Sequence, residues 1–187
     1  VILTSYPKYF YCHYSIPVAD QFFSYLDNQV SFLNKLNPSI IKRLLIKPDP
    51  SFEGKSWDAN LYISNKGFAD NFMKTNKNMY EVLEESNLCI CTNNATTFLE
   101  TLASNYPTII FWDNALFEIR EDAVNKMKLL EDAGILFYCP IKAANKVNDI
   151  SKNIDKWWKE PALQKAVKVF TNTYALTSNS WIFEWKK

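Results

Sequence analysis

The hydrophobic pattern of the chain changes period repeatedly, and each change predicts an element. Val1-Ile2-Leu3-Thr4 is a continuous apolar run and predicts a short buried strand. After Pro17, Phe22, Leu26, Val30 and Leu33 recur at three- and four-residue spacing, which predicts a helix ended by Pro38. Ile40 to Ile46 predicts a second strand, stopped by Pro48 and Pro50. Ala59 to Ile63, bounded by Asn65 and Gly67, predicts a third. Met79 to Glu85 is a short helix. Leu88-Cys89-Ile90-Cys91 is a buried strand, Thr92-Asn93-Asn94 a turn and helix start, and Ala95 to Ser104 a helix with Phe98, Leu99 and Leu102 apolar. Thr108 to Trp112 is a fifth strand. Glu118 to Asp132 is a helix with Ile119, Ala123, Met127 and Leu130 on one face and Gly134 as its stop. Ile135 to Tyr138 is the sixth strand. Val147, Ile150, Ile154 and Trp157 mark one further helix. Pro161 opens the last, on which Leu163, Val167, Phe170 and Tyr174 align.

Continuous apolar strands alternating with amphipathic helices predict a parallel sheet covered on both faces. With right-handed crossovers this is an α/β, doubly wound, Rossmann-like domain with a mainly parallel six-stranded sheet, in the order 3-2-1-4-5-6. No internal repeat, linker or second core interrupts the pattern, so residues 1–187 read as one domain.

Composition narrows the chemistry. Nearly half the chain is apolar, enough for a substantial core, and no apolar run approaches the ~20 residues of a membrane span. Lys and Arg number 21 against 20 Asp and Glu, which disfavours nucleic acid as a partner. Three glycines, Gly54, Gly67 and Gly134, cannot build a glycine-rich phosphate loop. One histidine, His13, excludes multi-histidine metal sites, and no metal site is expected. Cys12, Cys89, Cys91 and Cys139 fit neither a zinc spacing nor a disulfide framework; they read as buried reduced thiols, with Cys89 and Cys91 on one strand face, which favours the cytoplasm. No signal peptide is visible, and the start at Val1, directly in a strand, leads us to expect a fragment lacking an N-terminal portion.

In a parallel α/β sheet ligands bind beyond the carboxyl ends of the strands. That selects Ser5–Pro17, Lys47–Trp57, Thr92–Thr97 and Trp112–Glu118. In the third, Asn93, Asn94, Thr96 and Thr97 surround a helix start, where free N–H groups and the helix dipole favour a phosphate. The same residues are also ordinary helix caps. Glu100 lies one turn on, placed to accept bonds from ribose hydroxyls. Lys47 closes the second strand, as a phosphate partner or as a solvated lysine. His13 sits among Tyr9, Phe10, Tyr11 and Tyr14, either contacting a substrate or packed in an aromatic loop. Asp113 and Glu118, with Arg120, follow the fifth strand and either line the cleft or cap the next helix; Glu118 and Asp122 read mainly as its capping charges. Trp157, Trp158, Trp181, Phe183 and Trp185 crowd a basic C-terminal stretch, read as packing against the domain or a partner, or as docking to a membrane surface.

The run from Leu88 to Trp112, LCICTNNATTFLETLASNYPTIIFW, resembles the donor-binding half of GT-B glycosyltransferases. Ser5-Tyr-Pro-Lys-Tyr9, Leu44-Leu-Ile-Lys-Pro48, Asp132-Ala-Gly-Ile135 and Asp155-Lys-Trp-Trp158 extend the likeness to transferases of bacterial O-antigen and surface-polysaccharide gene clusters. The resemblance implies a nucleotide-sugar donor of CMP, UDP or GDP type and no other cofactor. It places Glu100 at the ribose, Thr96 and Thr97 near the phosphates, and an acceptor-binding domain before Val1. It implies a cytoplasmic enzyme, possible peripheral contact at the inner membrane face included. Thr92 stands where many retaining members carry a second glutamate, and Asn105-Tyr106-Pro107 lacks their glycine, so sugar-contacting residues do not carry over. The alternative from another class is a non-catalytic protein-interaction module using the Trp-rich end.

Overall fold

The computed structural model describes residues 2–4, 17, 21–47, 58–74 and 77–175. It is an α/β structure built on a parallel sheet. The strands are β1 (Ile2–Thr4), β2 (Leu45–Lys47), β3 (Cys89–Cys91), β4 (Thr108–Phe111) and β5 (Leu136–Phe137), in the order β2-β1-β3-β4-β5. Every pairing is parallel. Thr4 stands level with Lys47 on one side and with Cys91 on the other. β3 and β4 are buried at every position, which requires cover on both faces.

Helices provide that cover. α1 (Gln21–Lys35) buries Phe22, Tyr25, Leu26, Gln29, Val30, Phe32 and Leu33, the three-and-four spacing of an amphipathic helix. It packs on α7 (Pro140–Ile150), and the Phe32 ring stacks on Phe111 of β4 at 4.7 Å. A second group is formed by α5 (Thr96–Ala103) and α6 (Glu121–Asp132), both packed on α9 (Pro161–Tyr174). Gly134 ends α6 with φ 69, and the amide of Ile135 returns to the Leu130 carbonyl, as its sequence position predicts.

The expected six-stranded sheet has five strands among the described residues. Ala59–Ile63 is not a strand but helix α3. Asp58 caps it by accepting from the Leu61 amide at 3.0 Å, and burial falls on Ala59 and Ile63, four apart, while Leu61 points outward at 57% exposure. The alternation of small apolar residues imitated a strand. Beside β2 the edge is met instead by Phe72–Met73, through a single parallel bridge of Ile46 to Phe72 and a bond from the Met73 amide to the Ile46 carbonyl at 3.0 Å.

Three other boundaries move. Ile40–Ile46 divides into α2 (Pro38–Ile41), a turn and β2, because Pro38 at the first helical position starts a helix. Arg43 therefore lies in the turn. The helix expected from Glu118 begins at Glu121, with Arg120 at its N-cap. The single helix through Val147 and Trp157 is two, α7 and α8 (Ile154–Trp158), the second started by Asn153 accepting from the Lys156 amide. Trp157 and Trp158 are buried, so for these two the packing reading holds; Trp181, Phe183 and Trp185 lie outside the described residues.

Long-range polar bonds lock the connections. The Asn148 carboxamide on α7 accepts from the Asn37 amide at 2.8 Å and donates to the Lys35 carbonyl at 3.0 Å, clamping the α1–α2 junction. The Tyr106 hydroxyl, ahead of β4, donates to the Leu83 carbonyl at 2.9 Å and also meets the Ser86 carbonyl, both at the end of α4 (Met79–Glu84). Burial, and secondarily the nearby Cys89 thiol, push this phenol well above its ordinary value. A proton held more tightly in the folded state gives stability that is complete below about pH 10 and is lost as pH rises beyond it. Tyr106→Phe should cost about 1–3 kcal/mol near pH 8, from the two carbonyls left without the hydroxyl. It should also flatten the alkaline fall in stability; urea melts across pH 8–11 measure both.

Candidate functional site

The site is built where the strand order reverses. The chain passes from β1 to β2 on one side, and β3 lies on the other; at such a reversal the ligand crevice of a parallel α/β sheet is expected beyond the carboxyl ends, here of β1 and β3. On one side stands the turn after β3, Thr92–Ala95. The segment after Thr4 that carries His13, residues 5–16, lies outside the described residues.

The turn is sunk into the protein. Thr92 and Asn93 are buried, at 1% and 4% exposure, and Asn94 is half-buried. Thr92 Oγ1 and the Tyr25 hydroxyl are hydrogen-bonded at 2.7 Å. The Tyr25 ring meets Phe117 edge-on at 6.0 Å, and Phe117 leans on Trp112. Tyr25 thus joins α1, the turn after β3 and the loop after β4 at one end of the sheet.

α5 starts from this turn. Its N-cap is Ala95, in extended conformation, with no side-chain bond to the helix start. The capping alternative therefore does not describe these residues: neither Asn93 nor Asn94 caps α5. Its first amides carry the positive end of the helix dipole with no side-chain acceptor among the described residues. Thr96 is exposed and Thr97 half-buried at this end, and Glu100 lies one turn along the Thr96 face, exposed.

Lys47 closes β2, half-buried, in the row Lys47–Thr4–Cys91. At ~4.8 Å per strand its Cα is about 10 Å from that of Cys91, within reach of the crevice for a lysine side chain. The structure thus gathers Asn93, Asn94, Thr96, Thr97 and Lys47 at one end of the sheet, with Glu100 on the adjoining helix face. Asp113 lies nearby but is spent locally, accepting from the Ala115 amide at 2.8 Å. Asp122 holds Arg120 in a two-point pair, with bonds of 2.7 and 3.1 Å. Glu118 is exposed and ends up outside α6, so it caps nothing.

Two features escaped the sequence reading. An apolar cleft of about 270 Å³ opens beside the α5 start, lined by Asn94 and by Phe98, Leu99, Met127, Phe170 and Tyr174. Its walls come from three helices, so no local pattern announces it. Gln29 is fully buried on α1, one turn from Tyr25, and among the described residues neither of its amide atoms has a hydrogen-bond partner. A polar residue on the apolar stripe of α1 was the available signal. Among the described residues no group of His, Cys, Asp and Glu is arranged to hold a metal, and no helix is long and apolar enough to cross a membrane.

Thr92→Val keeps the shape of the turn and removes the bond to Tyr25. We expect a loss of about 0.5–1.5 kcal/mol in a urea melt, the net worth of one hydrogen bond.

The model of a protein family described as LIC12162 family transferase matches residues 1–187. A comparison with curated proteins finds no match.

Proposed function

The chain belongs to the LIC12162 family of transferases, and within that family we propose that it is the nucleotide-sugar-binding half of a GT-B glycosyltransferase acting in surface-polysaccharide or O-antigen synthesis. The observation that carries the reading is the start of α5: amides with no side-chain cap among the described residues, and buried Thr92 and Asn93, at the reversal point of a parallel sheet. A dipole-bearing helix end suits the phosphates of a nucleotide sugar. Thr96 and Thr97 add hydroxyl donors, Lys47 a positive charge, and Glu100 a carboxylate that accepts from ribose hydroxyls. His13 is the remaining candidate for substrate contact.

Chemistry follows from charge. Transfer leaves negative charge on the departing nucleotide phosphate, and preorganised amides with one lysine stabilise it without a metal. The sheet order supports a Rossmann-like, doubly wound frame of the kind that GT-B enzymes use for donors. The acceptor and the base that activates it then belong to a second domain, on the N-terminal side. In this reading the enzyme works in the cytoplasm, with peripheral contact at the inner membrane face where a surface glycan is begun.

A thermal-shift panel of CMP, UDP and GDP tests the reading. One nucleotide should stabilise the protein by about 2.7 kcal/mol at a hundred times its Kd. No shift with any of the three would instead favour a protein-interaction module. Glu100→Gln should keep the fold, since glutamine is nearly as good a helix former. It should weaken ribonucleotide binding by about 10- to 150-fold, the worth of a charge-assisted bond, and reduce discrimination against deoxyribonucleotides. Unchanged affinity removes Glu100 from the site. Lys47→Ala should weaken binding more at low salt than at high salt, because the lost contact is coulombic; a salt-independent loss assigns Lys47 a structural role.

A further inference from the structure

The apolar cleft beside the start of α5 has walls that an occupant can touch. Phe98, Met127 and Phe170 form its buried floor. Above them Leu99, Ile119 and Ala123 are half-buried, and Tyr174 is 38% exposed. Its volume of about 270 Å³ falls just under the ~300–1,000 Å³ usual for small-molecule pockets and suits an inserted side chain.

The rim is acidic. Glu118 lines the cleft, and Glu121 and Asp122 stand beside it at the start of α6. Arg120 is the one base among them, and Asp122 holds it. Among the described residues Glu118 and Glu121 are in no ion pair, so the rim keeps two open negative charges.

The chain itself leaves from this rim. Tyr174 is the last residue of α9, and its ring meets Phe170 of the floor at 5.2 Å. Beyond it, in residues outside the described ones, Thr177-Ser178-Asn179-Ser180 is a run of turn formers. Trp181, Phe183 and Trp185 then alternate with Ile182 and Glu184, and Lys186 and Lys187 follow. Six residues from Ala175 to Trp181 span up to ~20 Å, ample for a return to a cleft that begins at Tyr174.

We propose that Trp181–Lys187 of this same chain folds back onto the cleft. Its aromatic rings seat on Leu99, Ile119, Ala123 and Tyr174, and its two lysines stand by Glu118 and Glu121. The aromatic alternation fits an apolar lining, and the basic end fits an acidic rim. A link this short holds the segment at an effective concentration in the mM range, which favours it over a second copy. The acidic rim disfavours an anionic membrane at this face. None of Leu99, Ile119, Ala123 and Tyr174 belongs to the nucleotide site, so the contact stands apart from it.

NMR on the full chain, with the methyls of leucine, isoleucine and alanine labelled, tests this. We expect nuclear Overhauser contacts from the rings of residues 181–185 to the methyls of Leu99, Ile119 and Ala123, with upfield ring-current shifts. Both should vanish in the triple variant Trp181→Ala, Phe183→Ala, Trp185→Ala. A synthetic peptide of residues 176–187, added to that variant, should restore the shifts saturably. Glu118→Lys with Glu121→Lys, both exposed, should weaken the peptide by at least about twofold, and less at high salt. Contacts seen only between differently labelled chains in a mixed sample would assign the cleft to a second copy and overturn the proposal. So would absent contacts in the unaltered chain, whether the rings then bind phosphatidylglycerol vesicles or nothing at all.

Discussion

The double-sided burial of β3 and β4 governs where anything polar can happen in this protein. Cys89, Ile90, Cys91, Ile109 and Ile110 are all at 0% exposure. A strand with both faces covered has no surface on which to mount a binding group, so the chemistry is driven to the strand ends. The carboxyl end receives the Thr92–Ala95 turn and Lys47. The amino end receives Arg43 and the loop into β3.

The same burial explains which parts of the fold were legible in the sequence. Leu88–Cys91 and Thr108–Trp112 are uninterrupted apolar runs with clear turns at each end, and both are strands. The close approach of Cys89 and Cys91, with sulfurs 3.8 Å apart, was readable from a period of two. Ala59–Ile63 was not readable, because Ala59 and Ile63, four apart, satisfy both periods, and Leu61 between them completes the strand pattern although it is exposed on the helix. The capping bond of Asp58 decided between them, and its effect depends on backbone geometry rather than pattern. Ile40–Ile46 failed for a related reason: its apolar residues serve a helix, a turn and a strand in succession, each too short to show its own period.

The site divides along the same line. The helix start at residues 93–97 was legible because it is local and follows a strand. That Ala95, and not an asparagine, occupies the N-cap was not legible, since one residue of offset separates the alternatives and boundaries depend on φ and ψ. The role of Tyr25 was further out of reach. Its partner Thr92 is 67 residues away, and nothing around Tyr25 distinguishes a hydroxyl that is bonded from one that is merely packed. Contacts across such separations arise only when helices from different parts of the chain are laid on the sheet.

The Asn148 clamp bears on how the protein is made. One carboxamide serves the carbonyl at the end of α1 and the amide that opens α2, 113 and 111 residues earlier in the chain. On the ribosome, α1 emerges long before its terminator does. Through that interval its end must be served by water and left to fray. The nascent chain therefore has its first helix early but its first corner late, so synthesis up to residue 148 is a stage at which a chaperone has most to hold.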